Sequence, residues 1–286
     1  MTIAATGPNA EQIEYWNSPS AAKWVALQDR IDATIEPFGV LAMDRAELAA
    51  GERAIDVGCG CGTTTLALAE RVGPRGRVLG VDISAVMLAR ASERARSAGI
   101  ANMEFANADA QTHAFVAAAW DSAYSRFGVM FFAEPARAFA NLRGALRRGG
   151  RVSFVCWRPF PENPWMTVPF AALATFLTPP PPPPPGAPGP FAFGDPERVR
   201  GILEDAGFAQ IEIAPHDGEL TLGRSLDDAV TFTLSAGPAA RLLDPATPAD
   251  RERAAIAVRD ALAPHVRGGV VALAGAIWLV RARNPG

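Results

Sequence analysis

The stretch from Arg53 to Glu70, RAIDVGCGCGTTTLALAE, limits what this chain can fold into more than any other. Ala54-Ile55-Asp56-Val57 is short and mostly apolar, as a parallel strand buried on both faces must be. Glycines follow at alternate positions, Gly58, Gly60 and Gly62, and Leu66-Ala67-Leu68-Ala69 then continues with helical spacing and propensity. A strand, a glycine turn and a helix in that order bring bare backbone and a helix N-terminus against a nucleotide-like ligand.

The glycine spacing separates one ligand class from another. A dinucleotide fingerprint, G-x-G-x-x-G, needs its third glycine at position 63, and that residue is Thr63. The chain reads G-x-G-x-G instead. Further β–α units follow in register. A helix over 63–72 stops at Gly73-Pro74, and the strand Arg77 to Ile83 carries Asp82 at its end. That acid falls about twenty residues after the glycine turn, where nucleotide-binding folds keep a carboxylate that accepts from both ribose hydroxyls. Ser84 supplies the cap of the next helix, 84–98, which frees Asp82 from that task. A third strand, Met103 to Ala106, enters Asn107-Ala108-Asp109-Ala110, where Asp109 also suits a simple Asx-turn. A fourth begins at Trp120 and leaves through Arg126-Phe127-Gly128. A helix over 135–147 and the turn Arg148-Gly149-Gly150 then lead to Arg151–Trp157.

Taken together, these motifs resemble class I S-adenosylmethionine-dependent methyltransferases, in particular the ubiquinone/menaquinone type of small-molecule enzyme. The strand–loop is similar to (V/L)-(L/I)-D-(V/L)-G-x-G-x-G. Trp120 to Gly128 is similar to the "FD…(S/R)-F-G" stretch, and Leu146 to Gly150 to "L-(R/K)-x-G-G", with Arg148 where proline is usual. The resemblance covers residues 51–157, a little over a third of the chain. It implies an α/β fold: a doubly wound, seven-stranded, mostly parallel Rossmann-like sheet with its last strand antiparallel and helical cap insertions. It also implies S-adenosyl-L-methionine, held at Asp56, Gly58, Cys59, Gly60 and Gly62. Asp82 and Ile83 would sit at the ribose, Met87, Asp109 and Ala110 at the adenine, and Arg126 against cofactor or substrate. The implied reaction is in-line displacement, where alignment can account for ~7–11 kcal/mol of the barrier.

Residues 1–50 form an N-terminal helical lid in this reading, and 51–286 the methyltransferase domain, divided into a cofactor half (51–157) and a substrate-cap and closing half (158–286). Ser18-Pro19 starts a helix whose Trp24, Leu27, Ile31 and Ile35 share one face. Tyr15-Trp16 either anchors that helix or lies over a sulfonium cation, an attraction of ~0.5–2 kcal/mol. The seven prolines Pro179–Pro185 form neither helix nor ladder and are expected as an exposed excursion. A sixth strand is expected over Phe208–Ile213, helices over 226–241 and 248–263, and a last strand over Val270–Val280. Phe127, Phe131, Phe132, Trp157, Phe160, Trp165 and Met166 cluster just past strands four and five, which points to an apolar or aromatic acceptor. A general base is needed only if the nucleophile is a hydroxyl-like group. His113 is the candidate, against a plain packing role, while His216 and His265 are expected in solvated turns.

Net charge is −3 and no Lys/Arg block stands out, which argues against a nucleic-acid or anionic-membrane partner. The N-terminus lacks a secretory pattern and the longest apolar run, Val270–Val280, is too short to span a bilayer, so a cytoplasmic protein with a small-molecule partner is expected. Cys59, Cys61 and Cys156 make neither a disulfide framework nor a metal set and read as packing residues. Two alternatives stay open: an NAD(P)-dependent oxidoreductase, disfavoured by Thr63 and the lack of a Tyr-x-x-x-Lys pair, and a non-catalytic cofactor-binding module.

Overall fold

A computed structural model describes residues 3–244 and 246–286 and centres on one eight-stranded sheet. Helices α1 (Ala10–Trp16), α2 (Pro19–Ala26) and α3 (Gln28–Arg45) precede it. Alternation then sets in: β1 (Arg53–Val57), α4 (Thr63–Val72), β2 (Arg77–Asp82), α5 (Ala85–Ala98), β3 (Met103–Asn107), β4 (Trp120–Arg126), α6 (Pro135–Ala145) and β5 (Leu146–Trp157). These five strands pair in parallel in the order β3-β2-β1-β4-β5. The order reverses between β1 and β4, and such a switch point opens a crevice at the C-terminal strand ends. The glycine turn after β1 and the exit of β4 both face it.

The rest of the chain extends the sheet in the other sense. After α7 (Pro164–Ala174) and α8 (Pro196–Asp205) come β6 (Ala209–Gly223), α9 (Leu226–Ser235), α10 (Gly237–Leu242), α11 (Pro248–Leu262), the two-residue β7 (Val266–Arg267) and β8 (Val270–Arg283). β8 inserts between β5 and β6, antiparallel to both, which leaves β6 at the sheet edge. An edge position tolerates Pro215, which has no N–H to give a ladder. Helices α7, α9, α10 and α11 pack on one another beside this end. Phe139 anchors the other face, with Phe132, Phe154, Phe193 and Phe208 around it at 5.4–6.4 Å.

Several boundaries differ from expectation. The helix begun at Ser18-Pro19 breaks at Leu27, because its apolar face changes partner: Ile31 and Ile35 face the core, whereas Trp24 is 36% exposed. Helix α6 stops at Ala145, and Leu146–Gly150 already belongs to β5, with a register shift opposite Trp120–Ser122. β6 runs on past Ile213 to Gly223, since β8 offers it a long partner. The expected helix over 226–241 divides at Ala236, before Gly237 (φ 80°) and Pro238. Pro179–Pro185 lies exposed outside helix and strand. No helix among the described residues is long and apolar enough to cross a membrane.

Candidate cofactor and acceptor site

The floor of the crevice is the glycine loop. Gly58, Gly60 and Gly62 have φ of 68°, 53° and 82°, a region costly for any residue with a Cβ. Two of them also lack room. A Cβ on Gly58 would stand 2.8 Å from Gly128 Cα, and one on Gly62 2.9 Å from Ala91 Cβ. The loop is thus held between the exit of β4 and α5. Gly60 meets only Met87 Sδ, at 3.8 Å, and leaves bare backbone toward the crevice.

Asp82 ties the loop to β2. Its Oδ2 accepts from Gly60 N–H and its Oδ1 from Ser84 N–H, both at 2.8 Å. Each oxygen keeps a second lone pair, the geometry needed for two vicinal hydroxyls. Burial pushes this carboxyl above the usual range, while the N–H donors of Ser84, Gly60 and Ile83 work against that rise. Ser84 caps α5 by accepting from Met87 N–H, as its position suggests. Asp109 stands one strand further on. Its Oδ1 accepts from Gln111 N–H and from Asn9 Nδ2, each at 2.9 Å, and its Oδ2 has no hydrogen-bond partner among the described residues. Asn107 Nδ2 donates to the Asp82 carbonyl at 3.0 Å and so joins the two acid-bearing strand ends. Met87 and Ala110 are buried nearby and Ile83 is half-buried.

Asp56 takes a different place from these acids. It is fully buried, and its Oδ2 accepts from the Thr64 and Thr65 hydroxyls at 2.7 Å, which fastens β1 to the first turn of α4. Burial raises its carboxyl to about 6, against the pull of both threonines. Cys59 lies against Gly80 of β2 and Cys61 against Ala21 and Met87; burial raises both thiols, Cys61 to about 12. Such thiols stay protonated and pack. No metal-ligating cluster occurs among the described residues.

The N-terminal helices roof the loop. Trp16 meets Phe131 and Trp24 edge-on at 5.5 Å and, with Val25, packs on the Ala21–Cys61–Met87 cluster. Tyr15 turns away, its hydroxyl accepting from Arg241 of α10 at 3.2 Å. The adjacent aromatics stay edge-on at 5.1 Å, with Trp16 set on the roof cluster and the Tyr15 hydroxyl turned to Arg241. Two asparagines that no motif singled out fasten this roof. Asn17 donates to the Ile83 carbonyl (2.9 Å) and accepts from Ala85 N–H (3.0 Å), while Asn9 bridges Asp109 and Ala133 N–H. Their partners lie 66 to 124 residues away, beyond the reach of local spacing.

Arg126 and His113 are not brought together. The Arg126 guanidinium donates to Asp32 of α3, whose other oxygen accepts from Gln28 and Thr63. Burial opposes ionisation of Asp32, yet Arg126, Gln28 and Thr63 together hold its carboxyl below the usual range. Thr63, the residue that breaks the dinucleotide pattern, thus anchors α4 to α3. His113 packs edge-on against Phe115 at 4.6 Å, in the turn after Asp109. His216 lies half-buried in β6 against Phe38 rather than in a solvated turn.

The aromatic residues also sort themselves. Phe127, itself at φ 61°, stacks on Trp157 at 4.2 Å, and Trp157 packs on Trp165 at 5.1 Å. This ladder starts one residue from Gly128, whose own Cβ would fall 2.7 Å from the Val57 carbonyl oxygen. It ends at a small, partly open pocket with about 10 Å³ of space, room for one water, lined by Trp165, Met166, Leu222 and Phe232 among others. Phe131 serves the roof, Phe132 packs on Phe139, and Phe160 packs on Phe170 and Phe191.

A doubly wound sheet with a glycine loop bonded to one acid, and a second acid on the next strand, defines an adenosine-binding α/β protein. Residues 54–150 match the family model described as a methyltransferase domain. The nocamycin O-methyltransferase of Saccharothrix syringae is 30% identical over 257 residues, 84% of this chain and 89% of that protein. The aklanonic acid methyltransferase DauC of Streptomyces sp. (strain C5) is 35% identical over 118 residues, 41% of this chain, and the match spans only about half (54%) of that relative. A putative methyltransferase from Bacillus halodurans C-125 shares the fold, with a TM-score of 0.55 at 20% identity over 86% of this chain and 98% of that one. The chain belongs to the class I S-adenosylmethionine-dependent methyltransferases. Its residues fit that cofactor: the loop has backbone for an amino-acid tail, Asp82 has lone pairs for a ribose, and Asp109 Oδ2 is open for an amine.

Proposed function

We propose that this enzyme methylates a small, apolar or aromatic metabolite. In this reading the glycine loop takes the amino-acid tail, Asp82 the ribose hydroxyls, and Asp109 the exocyclic amine of adenine. Trp16 closes the roof as a lid, and the helices α7 and α9 to α11 form a cap over the acceptor. S-adenosylmethionine supplies an activated methyl with a thioether leaving group, so the protein has chiefly to align and to exclude water. Arg126, already held by Asp32, positions α3 against the loop and is given no proton transfer. His113, packed on Phe115, is given no proton transfer either.

One observation carries the acceptor class: the ladder Phe127–Trp157–Trp165 runs from beside the glycine loop to a small, largely apolar pocket. Flat apolar faces recognise flat apolar ligands, with offset stacking worth ~0.5–1.5 kcal/mol per pair. The acceptors by which two relatives are named, nocamycin and aklanonic acid, support a metabolite of this kind. The test is transfer of labelled methyl to a panel of acceptors. Turnover of aromatic acceptors is expected. Methylation confined to small hydrophilic amines such as glycine or histamine would overturn the acceptor class, and failure to bind S-adenosylhomocysteine would overturn the whole site.

A further inference from the structure

One buried side chain links the N-terminal segment to the second acid of the crevice. Asn9 is 3% exposed, and its amide is used at both ends. Oδ1 accepts from Ala133 N–H at 2.8 Å and Nδ2 donates to Asp109 Oδ1 at 2.9 Å. The Ala133 amide can only donate, which fixes which end of Asn9 faces it and therefore which end faces Asp109.

We infer that Asn9 is a positioning residue for adenine recognition, holding Asp109 by Oδ1 so that Oδ2 is presented to the exocyclic amine. The inference rests on the proposed role of Asp109. Gln111 N–H and Asn9 Nδ2 together occupy both lone pairs of Oδ1, and only Oδ2 remains without a protein donor among the described residues. The last torsion of an aspartate is broad and two-fold, so one backbone donor alone holds the carboxylate loosely. A second donor at a fixed angle removes that freedom. Because the donor comes from the residue just ahead of α1, closing the N-terminal segment and reading the base become one event. Asn17 serves as the contrast: it grips only backbone, that of Ile13, Ile83 and Ala85, so it fixes where the segment lies without touching a ligand-facing carboxylate.

The experiment is calorimetric titration of the full chain with S-adenosylhomocysteine and with S-inosylhomocysteine, which carries a carbonyl oxygen in place of the amine. Asn9→Ala is expected to weaken the adenosyl ligand about fivefold or more and the inosyl ligand less than twofold, so that the preference between them falls. Asn9→Asp keeps the acceptor for Ala133 and loses the donor to Asp109. It should lower the same preference, with folding checked by its melting curve. Asn17→Ala should weaken both ligands alike. Equal loss of both ligands in the Asn9 variants would show a seal and nothing more, and no loss of either would remove the role; each result overturns the inference. Asp109→Asn reports on the parent reading: a preference unchanged by it would remove the adenine role of Asp109 and this inference together. A preference lost in Asp109→Asn but kept in both Asn9 variants would remove the inference alone.

Discussion

The two halves of the sheet are built on different terms. In the parallel half, from β3 to β5, a handful of residues are fixed by how closely backbones approach: Gly58 against Gly128, Gly62 against Ala91, Gly60 bonded to Asp82. In the antiparallel half, β8 and β6 with their helices are fixed by bulk: Trp165 of α7 packs on the rings of Trp157 and Phe127 at the seam with the parallel half, and with Met166, Leu222 and Phe232 it fills the space down to a pocket of about 10 Å³. A backbone cradle accepts one ligand shape and tolerates no added atom. A side-chain chamber is re-cut by changing one ring. The division suits an enzyme whose cofactor is constant and whose acceptor is free to differ among relatives.

Two glycines with nearly equal backbone angles probe that contrast most strongly. Gly62 (φ 82°) and Gly237 (φ 80°) share the left-handed strain, but only Gly62 has neighbours where a Cβ would go. Gly62→Ala is expected to cost about 2–4 kcal/mol in urea unfolding, and Gly237→Ala only about 1. Equal costs would mean that close approach does not define the loop.

Asp56 gives a pH signature to the parallel half. Its carboxyl is raised to about 6 in the folded protein, so its contribution is most favourable below the unfolded value near 3.8 and is lost as pH rises through about 6. Asp56→Asn has no such charge to bury. Relative to wild type it should gain on the order of 2 kcal/mol between pH 4 and pH 7. A difference that stays flat across that window would show that the buried acid is not desolvated.

Asp82→Ala should weaken S-adenosylhomocysteine about tenfold, with the change in melting temperature small beside it; unchanged affinity in calorimetry would remove Asp82 from the site. Trp165→Leu tests the other half. Cofactor affinity should stay within about twofold while kcat/KM for the acceptor falls about tenfold, and a loss shared by both would erase the separation between halves. The smallest effect is expected in the exposed proline run, where Pro182→Ala should shift stability by less than about 0.5 kcal/mol in the same urea assay.

Features that depend on neighbours in the chain were legible in the sequence. The glycine spacing, the acids at or just past the ends of β2 and β3 and Ser84 as a cap are all where local pattern puts them, and the reversed last strand is where the family resemblance puts it. What stayed hidden depends on residues far apart. Nothing near Arg126 announces Asp32, 94 residues earlier, and nothing near Tyr15 announces Arg241, 226 residues later. Asn9 and Asn17 fall in no motif, and only their distant partners give them a place. Leu146 looked like a helix end because the strand pairing that claims it comes from β4. Periodicity also says nothing of direction, so the seven residues expected in one cluster divide: Phe127, Trp157, Trp165 and Met166 stay along one ladder, while Phe131, Phe132 and Phe160 pack elsewhere.

The edge strand β6 bears on how the molecule survives in company. Side chains cover its two ends, Arg200 donating to the Ile211 carbonyl and Thr34 and Arg30 to those of Thr221 and Leu222, but an open ladder between them would invite a second copy to dock and start a growing aggregate. Glu212, Asp217 and Glu219 stand exposed on that rim, and Pro215 interrupts its row of donors. An approaching neighbour meets like charge and a gap where an amide should be. The rim thereby discourages edge-to-edge pairing along the stretch that α3 and α8 leave open.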